Sequence, residues 1–144
     1  MHLSFAVFAD AANLSQEGKL NVLGVFDALQ VGGFPAVHPR ATLVVRLKGG
    51  REDAGSHSVR MQWINPRGQE LWQSTGEIDI GVPPNDVTEL DLPLIAQIDL
   101  PLDGPGRYQM TVSVDDKVTT QLALHVRMAA TAATMPPARG GLVS

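Results

Sequence analysis

The chain has 144 residues and a mass of 15.4 kDa, about one domain. Its 44% apolar and 18% charged residues suffice for a packed core and exclude wholesale disorder. A formal net charge of −4 excludes a basic nucleic-acid binder, and the absence of cysteine excludes disulfides, thiolate metal sites and a cysteine nucleophile.

The N-terminal Met1-His2-Leu3-Ser4-Phe5 stretch has no basic n-region, and no apolar run reaches the roughly 18 residues of a membrane span. These features predict a cytoplasmic protein without a membrane segment. Charge is uneven: residues 1–72 hold seven Lys/Arg and six Asp/Glu, residues 73–144 four and nine. The acidic half reads first as a solvated surface, with a cation or a basic partner as the alternative.

Along the chain the hydrophobic period is two, the signature of half-buried strands. Leu3, Phe5 and Val7 mark a first strand. Lys19 to Leu29 marks a second, apolar on both faces: Leu20, Val22 and Phe26 against Leu23, Val25 and Leu29. That pattern predicts a central strand or a bulge, with Gly24 the natural place for a bulge. Phe34-Pro35-Ala36-Val37-His38-Pro39 reads as a Pro-punctuated crossover. Leu43, Val45 and Leu47 mark the third strand.

Residues 56–82 read as a hairpin around Asn65-Pro66-Arg67-Gly68, whose Pro and Gly suit a type I turn. A four-residue loop pairs Ile64 with Gln69 and Met61 with Trp72, and buries Trp72, Ile78 and Ile80 beside Val59, Met61 and Trp63. Leu71 then faces outward, without explanation. From Leu90 to Leu100 apolar residues alternate with Asp91, Pro93, Ile95, Gln97 and Asp99. Pro93 and Pro101 cannot donate to a ladder, so this strand is expected at an edge or interrupted.

Tyr108, Met110, Val112 and Val114 alternate with polar residues, and so do Val118, Thr120, Leu122, Leu124 and Val126. A three-residue loop, Asp115-Asp116-Lys117, would pair Val114 with Val118, Val112 with Thr120 and Met110 with Leu122. Asp103-Gly104-Pro105-Gly106-Arg107-Tyr108 resembles the tyrosine corner of immunoglobulin-like sandwiches, with a core Tyr after a turn as the alternative. Eight strands at this spacing predict an all-β antiparallel sandwich, immunoglobulin-like, of seven to nine strands over residues 1–127. Residues 128–144, rich in Ala and Thr with Pro136-Pro137 and Gly140-Gly141, form a low-complexity tail, or else an arm that docks on a neighbouring subunit.

Chemistry-bearing constellations are sparse. His2, His38, His57 and His125 lack metal-ligand spacing and read as lone surface histidines. Ser56-His57-Ser58 lacks a nucleophile elbow. Asp86, Glu89, Asp91 and Asp103 could crowd one end of the sandwich around a cation, but no loop has the spacing of a calcium motif. Trp63, Trp72 and Tyr108 could stack on a sugar, but their place on the buried face favours core packing. Lys48-Gly49-Gly50-Arg51 is a loop tip with no helix behind it, so it is no phosphate loop.

Ala9-Asp10, then Gly18-Lys19-Leu20-Asn21, Gly24-Val25-Phe26-Asp27, Phe34-Pro35 and finally Pro105-Gly106-Arg107-Tyr108 form a pattern that resembles an uncharacterised bacterial family of small β-sandwich proteins. The resemblance covers about residues 5–127 and implies a β-sandwich, with no catalytic residue, cofactor or partner to carry over. Within the motif, Asp10, Asn13, Lys19, Asn21 and Asp27 are polar residues within or beside apolar strands. They are candidates for an internal hydrogen-bond and ion-pair network, or for a binding groove between the first two strands. The expected function is a non-catalytic binding or scaffolding module without cofactor, in an assembly with a protein partner or with itself. The alternative is a ligand-binding or enzymatic sandwich whose site for a carbohydrate or metal ion is built from distant loops.

Overall fold

The structure, a computed structural model, describes residues 1–130. Among them are nine strands: β1 (His2–Leu14), β2 (Leu20–Phe26), β3 (Ala28–Val31), β4 (Ala36–Gly49), β5 (Gly55–Ile64), β6 (Glu70–Ile80), β7 (Leu90–Leu102), β8 (Gly106–Val114) and β9 (Lys117–Met128). A single 3-10 turn, Arg51–Asp53, joins β4 to β5. One sheet has the order β2-β1-β4-β7 and the other β3-β9-β8-β5-β6. All pairings are antiparallel except β3 with β9, which is parallel. The β4–β7 pair and the β9-β8-β5-β6 row match strands B and E and strands G, F, C and C′ of the immunoglobulin sandwich, and β1 and β2 extend the first sheet beyond β4. Of the proposed tail, only Met128 to Ala130 fall among the described residues; residues 131–144 lie outside them.

The core explains why the large residues sit where they do. Trp63 on β5 is fully buried, stacked on Tyr108 at 5.2 Å between ring centroids and met edge-on by Phe8 at 6.0 Å. Its indole N–H donates to the Pro101 carbonyl at 2.8 Å, so burial orphans no donor. Tyr108 opens β8, and its hydroxyl accepts from the backbone N–H of Asp103 (2.9 Å) and of Gly104 (3.1 Å). The hydroxyl lies 2.9 Å from Asp103 Oδ1 and 2.7 Å from the Gly104 carbonyl, either of which can take its proton. This is the tyrosine corner, tying β8 to the end of β7.

Several expectations are corrected. The segment 19–29 is neither a central strand nor a bulge. β2 is an edge strand, and at Asp27 the chain leaves its sheet for the other one, where β3 joins β9. The crossing flips the inward parity, so Phe26 before it and Leu29 and Val31 after it all pack on the core. Register is the same on both sides of Gly24, which takes φ +70 with the Asp10 carboxyl packed against its Cα. A glycine is needed there because any side chain would meet that carboxyl in a disfavoured backbone region.

The stretch 34–39 is more than a crossover. Ala36, Val37 and His38 already pair with Leu102, Pro101 and Leu100, before an irregularity at Pro39-Arg40 with Arg40 at φ +51. β7 is the free edge of its sheet, one of the two placements its prolines allow.

In the first hairpin Trp63, not Met61, faces Trp72, and Ile64 faces Glu70 rather than Gln69. The extra residue is Leu71, a bulge that turns it onto the core cluster. The turn itself holds: Gly68 N–H donates to the Asn65 carbonyl at 2.9 Å. The Asn65 side-chain oxygen accepts from the N–H groups of Arg67 and Gln69, which closes the loop just before the bulge.

In the second hairpin the loop has two residues, Asp115 and Asp116, both at positive φ, and Val114 pairs with Lys117 rather than Val118. A register shift near Ser113 then restores the expected pairs Val112–Thr120 and Met110–Leu122. The buried face set the register where burial is strong, and the turn set it where both strands near solvent.

Candidate functional site

The five polar candidates do not form one internal network. All are exposed. Asn13 and Asn21 face each other across β1 and β2, and the Asn21 amide donates to Asn13 at 3.0 Å. Lys19 lies 4.0 Å from Glu17, a solvent-exposed pair of little energetic weight. Asp10 packs against Gly24 and borders a shallow depression with His38, Arg40 and Gln97. Asp27 sits at the crossing between sheets, where its carbonyl accepts from His125 N–H at 2.9 Å. Of the five, only Asn13 and Asn21 join side chains, and Asp10 acts on the backbone through Gly24.

The polar clusters lie elsewhere. His57 is not a lone surface histidine. Its Nδ1 is 2.5 Å from Asp115 Oδ2, and its Nε2 is 2.6 Å from the Asp53 carbonyl oxygen. Both partners are acceptors only, so the arrangement is satisfied by the imidazolium, with a proton on each nitrogen. The Asp115 carboxylate beside His57 raises its pKa, and the same hydrogen bond lowers that of Asp115. The N-terminal ammonium of Met1 reaches Asp53 Oδ2 at 3.3 Å, and hydrogen bonding from Gly50 N–H holds that carboxylate below its usual range. The cluster clamps β1, the 3-10 turn, β5 and the β8–β9 turn together, and every charge in it is paired.

The acidic quartet is dispersed. Asp91 and Glu89, beside the start of β7, answer Arg46 and Lys48 of β4. Asp103, past the far end of β7, takes the Asn65 amide at 2.9 Å and Arg67 at 2.8 Å, and is held below the usual carboxylate range chiefly by Asn65. Glu89 and Asp91 stand at one end of β7 and Asp103 at the other, so the quartet does not crowd one end of the sandwich. Among the described residues no group of three or more His, Cys, Asp or Glu could hold a metal ion. No helix among them is long and apolar enough to cross a membrane. Trp63 and Tyr108 are fully buried, which denies a sugar their faces, while Trp72 is half-buried.

What remains is apolar surface. Val25 faces Ala9 and Leu23 faces Ala11, while Val7 faces Val44, which faces Ile95, all on the outward side of the four-stranded sheet. Ala9 and Val44 are covered, whereas Leu23 is 68% exposed, Val25 61% and Ile95 37%. The sequence carried this signal as the two-faced apolar pattern of residues 19–29. That pattern reads as burial, because a single strand cannot say whether its second apolar face meets the same chain.

No curated protein matches the chain. A family model, described as a family of unknown function (DUF6941), matches residues 4–127, which span β1 to β9 almost entirely. The chain belongs to this family of unknown function.

Proposed function

We propose that the protein is a non-catalytic association module of the bacterial cytoplasm that works in an assembly, self-associating through the outer face of the β2-β1-β4-β7 sheet. The observation that carries this reading is the exposure of Leu23 and Val25 on an edge strand. Each leaves a large aliphatic side chain in water, and β2 also offers an unpaired row of backbone donors and acceptors beside them. The polar clusters support a structural role, since their charged groups satisfy one another instead of a substrate. A chain without cysteine accords with a reducing compartment.

Mass in solution by light scattering tests it. The full chain is expected to be an oligomer, and the double variant Leu23→Lys, Val25→Lys a folded monomer. A monomeric wild-type chain overturns self-association. A chain ending at Ala130 separates the sheet face from residues 131–144: loss of the oligomer only in that shortened chain would give the contact to the C-terminal segment.

A further inference from the structure

The two sheets part company between β6 and β7. Each is the last strand of its sheet, and neither pairs with the other, so one side of each backbone is free. Between them lies a cavity of about 210 Å³ whose walls include Val59 and Met61 of β5 and Leu94 and Ala96 of β7. The cavity exists because the inward residues of β6 are small here: Ser74 opposes Met61 and Gly76 opposes Val59. A Cβ built on Gly76 meets nothing within 4 Å, so the space is open even to the backbone. For scale, an engineered apolar cavity of about 150 Å³ holds a benzene molecule. The slot thus has room for one large side chain.

The rim has a sign. From Glu70 to Asp99 the chain carries seven carboxylates and no Lys or Arg. Asp91 and Glu89 are answered by β4, but Glu77 and Asp79, on the outward face of β6 beside the slot, have no ion pair among the described residues. A free strand edge, an apolar hole facing inward and carboxylates facing outward are the three complements of one object. An extended segment laid along β6 would alternate, with one side chain in the slot and its neighbours against Glu77.

We propose that the seam between β6 and β7 is a strand-addition site for an extended, basic segment of another protein, anchored by one large apolar side chain in the slot under Gly76. Main-chain hydrogen bonds to the free edge of β6 supply affinity, the slot selects the anchor, and Glu77 and Asp79 select flanking Lys or Arg. Without a partner, the same carboxylates keep the edge from pairing with its own kind. The site is on the opposite flank from Leu23 and Val25 and does not depend on self-association there.

The test uses the full chain and capped seven-residue peptides in which Lys occupies every odd position, Thr the second and sixth, and Ala, Leu or Phe the centre. Calorimetric titration is expected to show the Leu or Phe peptide binding at least about tenfold more tightly than the Ala peptide, the worth of one buried side chain. Hydrogen exchange is expected to slow at β6 amides facing the seam. Gly76→Leu, which fills the slot from within, should abolish the preference for Leu or Phe. Glu77→Lys, a surface change, should weaken all three peptides, most at low salt. The proposal is overturned if no peptide binds, if the central residue makes no difference, if Gly76→Leu remains folded and keeps the preference, or if protection appears on β2 instead. Octylammonium binding more tightly than the Leu peptide would also overturn it, and would assign the slot to a small amphiphile.

Discussion

The two flanks of the sandwich are built in opposite ways. On the β2–β3 flank the chain itself crosses between sheets at Asp27, and Phe26, Leu29 and Val31 cover the gap from both sides of the crossing. Phe26 stacks on Phe8 at 5.9 Å and meets His38 edge-on at 5.5 Å. On the β6–β7 flank the chain passes between the sheets only through residues 81–89, beyond the ends of both strands, and Ser74 and Gly76 stand where large residues would be needed to close it. One flank is sealed by local connectivity, whereas the other is left to whatever comes along the edge. A sandwich needs an apolar interior, but its two sides need not be sealed alike.

That contrast can be broken most forcefully from the sealed side. Phe8, 1% exposed, lies between Phe26 and Trp63, and Phe8→Ala is expected to cost about 3–5 kcal/mol in urea unfolding. A loss under about 1 kcal/mol would mean that this flank collapses to fill the space. Gly24→Ala should cost about 1–2 kcal/mol, because it forces a Cβ into positive φ against Asp10. On the open side the sign reverses: Gly76→Leu has room and is expected to stabilise the fold by about 0.5–2 kcal/mol, read as a rise in Tm. A destabilising result would show that the seam is already filled.

The smallest effect concerns the end where β1, β5 and the β8–β9 turn meet, which is held by charge rather than packing. His57 has its pKa raised by Asp115, so it contributes stability fully below its unfolded value of about 6.5 and loses it as pH rises through the raised folded value. Asp115 has its pKa lowered, so the contribution fades at the acid end, below its unfolded value of about 3.9. The Tm of wild type should therefore exceed that of His57→Gln most at about pH 5–6, with the gap closing in alkaline buffer. A gap independent of pH would mean that His57 acts by packing alone.

Much of the architecture was legible because it rests on period two. The alternations at 90–100, 108–114 and 118–126 named their buried faces, and two prolines narrowed one strand to an edge or an interruption. Asp103 to Tyr108 offered the corner beside a plain core Tyr, and it could be read locally because its partners lie five residues apart or fewer. Observed and expected register differ where a bulge intervenes: Leu71 and the shift near Ser113 are single-residue events that alternation absorbs without trace. The candidate site is less legible in the sequence. Asp10, Asn13, Lys19, Asn21 and Asp27 share only their polarity within or beside apolar strands: Lys19 and Asp27 lie outside the strands, and only Asn13 and Asn21 meet.

By itself, then, the sequence determined the fold class, most of the strands and which face of most of them is apolar, since these follow from side-chain alternation and turn chemistry within a few residues. Only the tertiary structure decided that segment 19–29 splits between two sheets, that His57 finds Asp115 across 58 positions, and that Gly76 opens a slot. Those outcomes depend on which strands become neighbours. Strand pairing at long range is set by the summed packing of the whole core, and no short window of residues contains that sum.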